Sequence, residues 1–253
     1  MERYKFYPRQ KKKKCIFPNR MKTENGSVFT AKQNIANEFN KIFTDNHDTV
    51  GVENSTLNNN QFSNYLRNNF SSRFCFRQIS QSFLENIVKD LSPKYSSGYD
   101  KISPNLFKII FTHIKQPLLF LINLSLQKGI FPNKLKLAKV VPIYKKNEHD
   151  KMSNYRPISL LPTVSKIFEK VVFSQMYDYI TANNILCESQ HGFRKNHSTE
   201  TAAIEFIENL KSEISKKHTP VSIFLDLSRA FDTVDHDILL QKLSYYAVSE
   251  VSN

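Results

Sequence analysis

Asp226 ends a short apolar run, Val221, Ile223, Phe224 and Leu225, inside the stretch VSIFLDLSRAFDTVDHD. The run is rich in β-branched and aromatic residues and predicts a buried strand. A carboxylate at the C-terminal end of a core strand stands where open α/β sheets receive their ligands. Capping of the turn that follows would use the same residue type. Cationic side chains gather at three other places: Lys145 and Lys146 after AKVVPIY, Arg156 near the start of YRPISLL, and Arg194 with Lys195 in QHGFRK. A carboxylate for a divalent cation, facing lysines and arginines that hold phosphates in line, is the arrangement that nucleotidyl transfer requires. The plainer reading of Lys145 and Lys146 is a solvated turn. Arg156, beginning an apolar strand, calls for an acceptor.

Other metal chemistries fit the acidic stretch poorly. An EF-hand loop needs Gly at its sixth position, and counting from Asp226 that place is taken by Phe231. An Asp-x-Asp signature fails because Ser228 stands two residues after Asp226. His236, between Asp235 and Asp237, has no partner at helical spacing and reads as a turn or cap residue.

The elements that must position these residues are legible from periodicity. Ala31–Phe43, Ser82–Leu91, Ser103–Leu126, Thr163–Ile180, a segment starting at Ser198-Thr199, and Ile238–Tyr246 all carry helical patterns. In the fifth of these, Ala203, Phe206, Ile207, Leu210 and Ile214 are expected to line a buried face, and Glu200 complements the dipole of the first turn. Ala138–Tyr144 and Tyr155–Leu161 read as extended, and the polar turn Asn147–Asn154 between them predicts a hairpin with Lys145, Lys146 and Arg156 clustered near its tip. Met1–Gly26 holds nine Lys and Arg against Glu2 and Glu24 and reads as a solvated basic arm. Gly51–Asn69, rich in Asn, reads as a linker.

A chain of 253 residues with 40% hydrophobic content can bury a sizeable core. Its 36 Lys and Arg against 23 Asp and Glu, a formal charge of +13, favour a polyanionic partner such as nucleic acid over a neutral small-molecule metabolite. The apolar stretch Ile109–Phe131 is interrupted by His113, Lys115, Gln116, Pro117 and Asn123, so a buried helix is expected there and no membrane partner. The N-terminus lacks a signal peptide's apolar run, and three cysteines far apart suggest neither a disulfide framework nor a zinc site. The expected setting is intracellular, not secreted.

The order VVPIYKK, NYRPISLLPTVSKIFEK, QHGFRKNHST and FLDLSRAFDTVDHDILLQKL closely resembles the reverse transcriptases of non-LTR (LINE-type) retrotransposons, the jockey-like elements in particular. The upstream SSGYDKIS and KGIFPNKLKLAKVVPIYKK resemble the N-terminal extension of these polymerases, so the match runs from about Phe76 to Leu243. The resemblance implies an α+β fold, a partial right-hand polymerase that is mainly helical with a small antiparallel sheet. It also implies a division into residues 1–75 (basic arm, one helix, Asn-rich linker) and residues 76–253 (extension, fingers, first part of the palm). FLDLSRAFD resembles polymerase motif A, which would make Asp226 the catalytic, metal-binding aspartate, assisted by the Leu227 carbonyl. Phe231, five positions on, would be the bulky residue that excludes a nucleotide 2′-hydroxyl. Lys145 or Lys146, and Arg156, would grip the incoming triphosphate, with Arg194 near template and nucleotide. The implied cofactor is Mg2+; the implied partners are an RNA template, a DNA primer and dNTPs, in a nuclear or cytoplasmic ribonucleoprotein.

The chain also departs from the family pattern. It continues for only 27 residues after Asp226 and contains no Asp-Asp dipeptide, so the second metal-binding motif is not found in it. The expectation is an N-terminal fragment of an RNA-directed DNA polymerase that is inactive alone, one carboxylate being too few to hold two ions. The alternative is a non-catalytic RNA- or DNA-binding fragment or the relic of a decayed element.

Overall fold

The computed structural model describes residues 18–44, 66, 73–227, 230–231 and 233–248. Most of the basic arm and, apart from Leu66, the Asn-rich stretch lie outside the described residues. The chain is α+β and divides into two compact units, one formed by Met1–Asn46 with Val140–Ser159, the other by His47–Lys139 with Leu160–Asn253. A helix from before residue 75 and the hairpin from after it thus share one unit.

In the first unit, strands β1 (Met21–Lys22) and β2 (Val28–Phe29) pair antiparallel, Met21 opposite Phe29. Helix α1 (Lys32–Thr44) follows and buries Ile35 and Phe39, four residues apart on one face. Strands β3 (Lys139–Tyr144) and β4 (Tyr155–Leu160) pair with each other as the expected hairpin. The core of this unit joins Met21, Ile35 and Phe39 to Met152 and Tyr155, with the Phe39 and Tyr155 rings edge to face at 5.4 Å. The end of the basic arm is therefore ordered: Met21 has 0% exposure. A lone apolar residue among cations gives no periodic signal, which is why composition alone assigns it to solvent.

The second unit is built on α2 (Gln81–Lys89), α3 (Pro104–Lys128) and α4 (Thr163–Ala182). Ser80 and Ser103 cap α2 and α3 by accepting the backbone N–H of Phe83 and Leu106. Pro104 occupies the first turn of α3, and Gly129 ends it with a left-handed φ of 65°. Leu84, Ile87 and Val88 of α2 pack with Phe107, Leu118, Ile122 and Leu126 of α3 and with Ile167, Phe168 and Val171 of α4. Gly98 approaches the start of α4 so closely that a Cβ there would lie 2.6 Å from Pro162 N.

Residues 73–80, without regular secondary structure, are held to α3 and α4 by two side-chain amides. Asn123 accepts the Ile79 N–H at 2.8 Å and donates to the Ile79 carbonyl at 3.1 Å. Gln175 treats Arg77 the same way, at 2.8 and 2.9 Å. Each amide supplies the donor and acceptor that a neighbouring strand would supply.

Three sequence expectations are corrected. Val221–Leu225 has no assigned secondary structure and is exposed, Leu225 at 88%, and among the described residues no strand pairs with it. β-propensity favours an extended backbone, while burial needs a paired edge and a covered face, and the described strands pair off among themselves. Helix α5 (Thr199–Ser215) forms with the expected start at Ser198, but no residue in it is buried, including Phe206, Ile207 and Ile214. Helix α3 is buried on one side only: Ile109, Phe120 and Leu121 are exposed. By length and hydropathy α3 is apolar enough to cross a membrane, yet its other face packs in the core between α2 and α4. Helix α6 (His236–Tyr245) begins after Asp235, whose carboxylate accepts the Ile238 N–H at 3.0 Å, a capping role.

Candidate functional site

The candidate cations of the first unit sit on the hairpin. Strand β3 ends at Tyr144 and β4 begins at Tyr155, and Lys145 N–H continues their pairing by donating to the Asn154 carbonyl at 2.8 Å. The loop between them is braced from inside. Tyr144 Oη donates to the Asn147 carbonyl, Asn154 Nδ2 to the Glu148 carbonyl, and Tyr155 Oη to the His149 carbonyl, at 2.5, 2.8 and 2.7 Å. The His149 ring stacks on Tyr144 at 3.8 Å between centroids. Lys145, Lys146 and Arg156 are all exposed, and among the described residues none has an ion-pair or hydrogen-bond partner for its side-chain charge. The acceptor that Arg156 calls for in the sequence is thus not found among them. Its side chain points into solvent at the strand surface, where water serves.

The other candidates belong to the second unit. Arg194 directs Nη1 to the carbonyls of Cys187 (2.9 Å) and Glu188 (3.3 Å), closing the loop between α4 and α5. Lys195 donates its N–H to Tyr177 Oη at 2.9 Å and lays its ammonium 5.1 Å from that ring's centroid. His191 joins the same loop to α5 through Thr201 Oγ1 (2.9 Å) and Glu205 Oε2 (2.8 Å). Arg194 is accordingly a brace within its own loop rather than a free cation.

Asp226 and Leu227 lie on the exposed, irregular segment, and Asp226 has no side-chain partner among the described residues. Phe231, 78% exposed, meets Phe193 edge to face, centroids 5.7 Å apart at 89°. Phe224 meets Phe206 of α5 at 5.6 Å. The structure thus brings the QHGFR loop to Phe231, while Lys145, Lys146 and Arg156 are carried by the other unit. Phe193 is the site neighbour that sequence reasoning missed. It holds a left-handed φ of 59°, uncommon for an aromatic residue, and only the preceding Gly192 hints at a turn.

Among the described residues no group of three or more His, Cys, Asp or Glu side chains could hold a metal. Asp226 with the adjacent Leu227 carbonyl does not fit a two-ion centre by itself.

Residues 143–251 match the family described as reverse transcriptase (RNA-dependent DNA polymerase). The chain is similar to a probable RNA-directed DNA polymerase from transposon BS of Drosophila melanogaster, 30% identical over 64% of this chain and 18% of the relative. It is also similar to the RNA-directed DNA polymerase from the mobile element jockey of the same organism, 28% identical over 72% of this chain and 20% of the relative. A third relative, a probable RNA-directed DNA polymerase from transposon X-element of Drosophila melanogaster, is 31% identical over 60% of this chain and 17% of the relative. The chain spans about a fifth of the length of these curated relatives. The segment from 143 to 251, with the motif around Asp226 inside it, thus matches the reverse transcriptase family, and the relatives the chain resembles are RNA-directed DNA polymerases of mobile elements.

Proposed function

We propose that the chain contributes the extension, the fingers and the first part of the palm to an RNA-directed DNA polymerase of a non-LTR retrotransposon. The observation that carries this reading is Asp226, exposed and unpartnered among the described residues, at the centre of FLDLSRAFD within the matched segment. The β3–β4 hairpin is the fingers element. Its unpaired cations Lys145, Lys146 and Arg156 hold the triphosphate of a dNTP, and an ammonium or guanidinium held at a braced turn needs little reorganisation to do so. Phe231 excludes a ribose 2′-hydroxyl by bulk. Asp226 and the Leu227 carbonyl are this chain's donors toward Mg2+, and further donors complete the centre. Arg194 acts by shaping the loop beside Phe231.

In the test, purified chain is given Mg2+, dNTPs and an RNA template annealed to a DNA primer. Binding of the primed template at low salt is expected, with no primer extension. Extension that Asp226→Asn abolishes would show that the residues present suffice for catalysis. No binding at low salt would remove the polymerase reading, and binding unchanged by Lys145→Ala/Lys146→Ala for both template and dNTP would favour a non-catalytic nucleic-acid-binding role.

A further inference from the structure

Tyr155, Tyr144 and His149 form a file of rings that runs from the core of the first unit to its surface. Tyr155 is buried, Tyr144 half-buried and His149 exposed. Tyr144 meets Tyr155 edge to face with centroids 5.7 Å apart, and the His149 imidazole lies on Tyr144 at 3.8 Å with 19° between the planes. Hydrogen bonds fix the file in place: Tyr155 Oη donates to the His149 carbonyl and Tyr144 Oη to the Asn147 carbonyl. Asn147 holds a left-handed φ of 72°, which sets the turn between Lys146 and His149. Among the described residues the His149 ring has no second ring partner and no hydrogen bond, so one of its faces is covered by Tyr144 and the other meets solvent.

We propose that the outer face of His149 is a stacking surface for an unpaired base of a single-stranded RNA. A planar ring held on one side and open on the other supplies what base stacking needs, since every base has a π-face and a ring already fixed loses little freedom on binding. The charge around it suits a polyanion. Residues 139–156 carry five Lys and Arg against Glu148 and Asp150. Both acids are already paired, Glu148 with Lys151 at 3.0 Å and Asp150 with Lys22 at 2.8 Å. Lys139, Lys145, Lys146 and Arg156 are exposed and have no acidic partner among the described residues. A strand brings several phosphates to such a surface together with its bases, whereas a free nucleotide brings one base, and this favours the strand. The loop also lies within residues 143–251, the segment that matches a family described as RNA-dependent. The inference rests on the RNA binding expected in the reading above, but not on the role given there to the two lysines. The plainer role of His149 is to cover the apolar face of Tyr144, which an aliphatic side chain would do as well.

The test uses the full chain and a fluorescein-labelled oligouridylate of about twelve nucleotides at about 50 mM salt, with an abasic strand of the same length as the base-free polyanion. His149→Leu, which covers Tyr144 but offers no π-face, is expected to weaken RNA binding about fivefold by anisotropy and to leave binding of the abasic strand unchanged. His149→Phe should bind RNA within about twofold of the parent. The sequence holds no Trp, so His149→Trp puts the sole indole at the site. Its emission should be quenched by the RNA and not by the abasic strand. RNA binding unchanged in His149→Leu overturns the proposal. So does an equal loss for both strands, which would mean that loop shape or charge was lost rather than a stacking face. Quenching by dATP with Mg2+ but not by RNA would put a nucleotide's base on the ring and likewise overturns it. Should His149→Leu lose its fold by circular dichroism, the indole decides: quenching by RNA and not by the abasic strand supports the proposal, and its absence overturns it. A parent chain that binds no RNA at low salt removes the polymerase reading together with this inference, whereas RNA binding indifferent to residue 149 removes this inference alone.

Discussion

Asn123 and Gln175 show how a single side chain substitutes for a strand. A carboxamide presents one donor and one acceptor at the spacing of a peptide group, so each closes a two-way bond with the backbone of Ile79 or Arg77. Asn123→Ala would leave the Ile79 N–H and carbonyl without partners in a partly buried place. The expected cost is about 1–3 kcal/mol of unfolding free energy, read from a urea titration, and a loss below about 0.5 kcal/mol would show that water replaces the amide freely. Glu85 illustrates a different economy of side chains. Hydrogen bonds from Lys115 and Gln81 hold its carboxyl below the ordinary range while tying α2 to α3. Spacing announces the Gln81–Glu85 bond, four residues apart on one helix, but not the others, since Asn123 stands 44 residues from Ile79 and Gln175 stands 98 from Arg77.

At the scale of elements, α1 and the hairpin depend on each other. Either alone would expose an apolar face, Ile35 and Phe39 on the helix or Tyr155 at the strand end, and together they close a small core. Phe39→Ala removes the ring at its centre and is expected to destabilise the chain by about 3–5 kcal/mol. Hydrogen exchange by mass spectrometry should then show increased exchange in both α1 and residues 145–155; increased exchange in the helix alone would contradict a shared core. The helices were legible because their caps and periodicity are local: Ser80, Ser103, Ser198 and Asp235 all stand where the sequence pattern begins, and Gly129 where one ends. The hairpin was legible for the same reason. Strand β1 was not, because two residues carry no period.

For the whole molecule the governing quantity is charge. A formal +13, with acidic partners bound up in pairs such as Lys22–Asp150 and Lys115–Glu85, leaves many cations to solvent and to a polyanion. Binding to single-stranded RNA is expected to weaken with salt, log K falling against log salt with a slope of about −3 or steeper, equivalent to at least about four phosphates neutralised. Fluorescence anisotropy between about 50 and 200 mM salt checks this; a slope near zero would mean that the charge is not used for nucleic acid.

By itself the sequence determined the helices, the hairpin and the motif order by which residues 143–251 match the reverse transcriptase family, because each depends on residues a few positions apart. It also determined which side chains are candidates: Asp226, Lys145, Lys146, Arg156, Arg194, Leu227 and Phe231. Only the tertiary structure decided which of them stay free. It turned Arg194 inward onto the Cys187 and Glu188 carbonyls, set Phe193 against Phe231, gave Asp150 to Lys22, and left the run before Asp226 unpaired and uncovered. Those outcomes depend on groups brought together from distant parts of the chain. Backbone propensity specifies a local conformation, but burial and charge pairing are settled by whatever the fold places alongside.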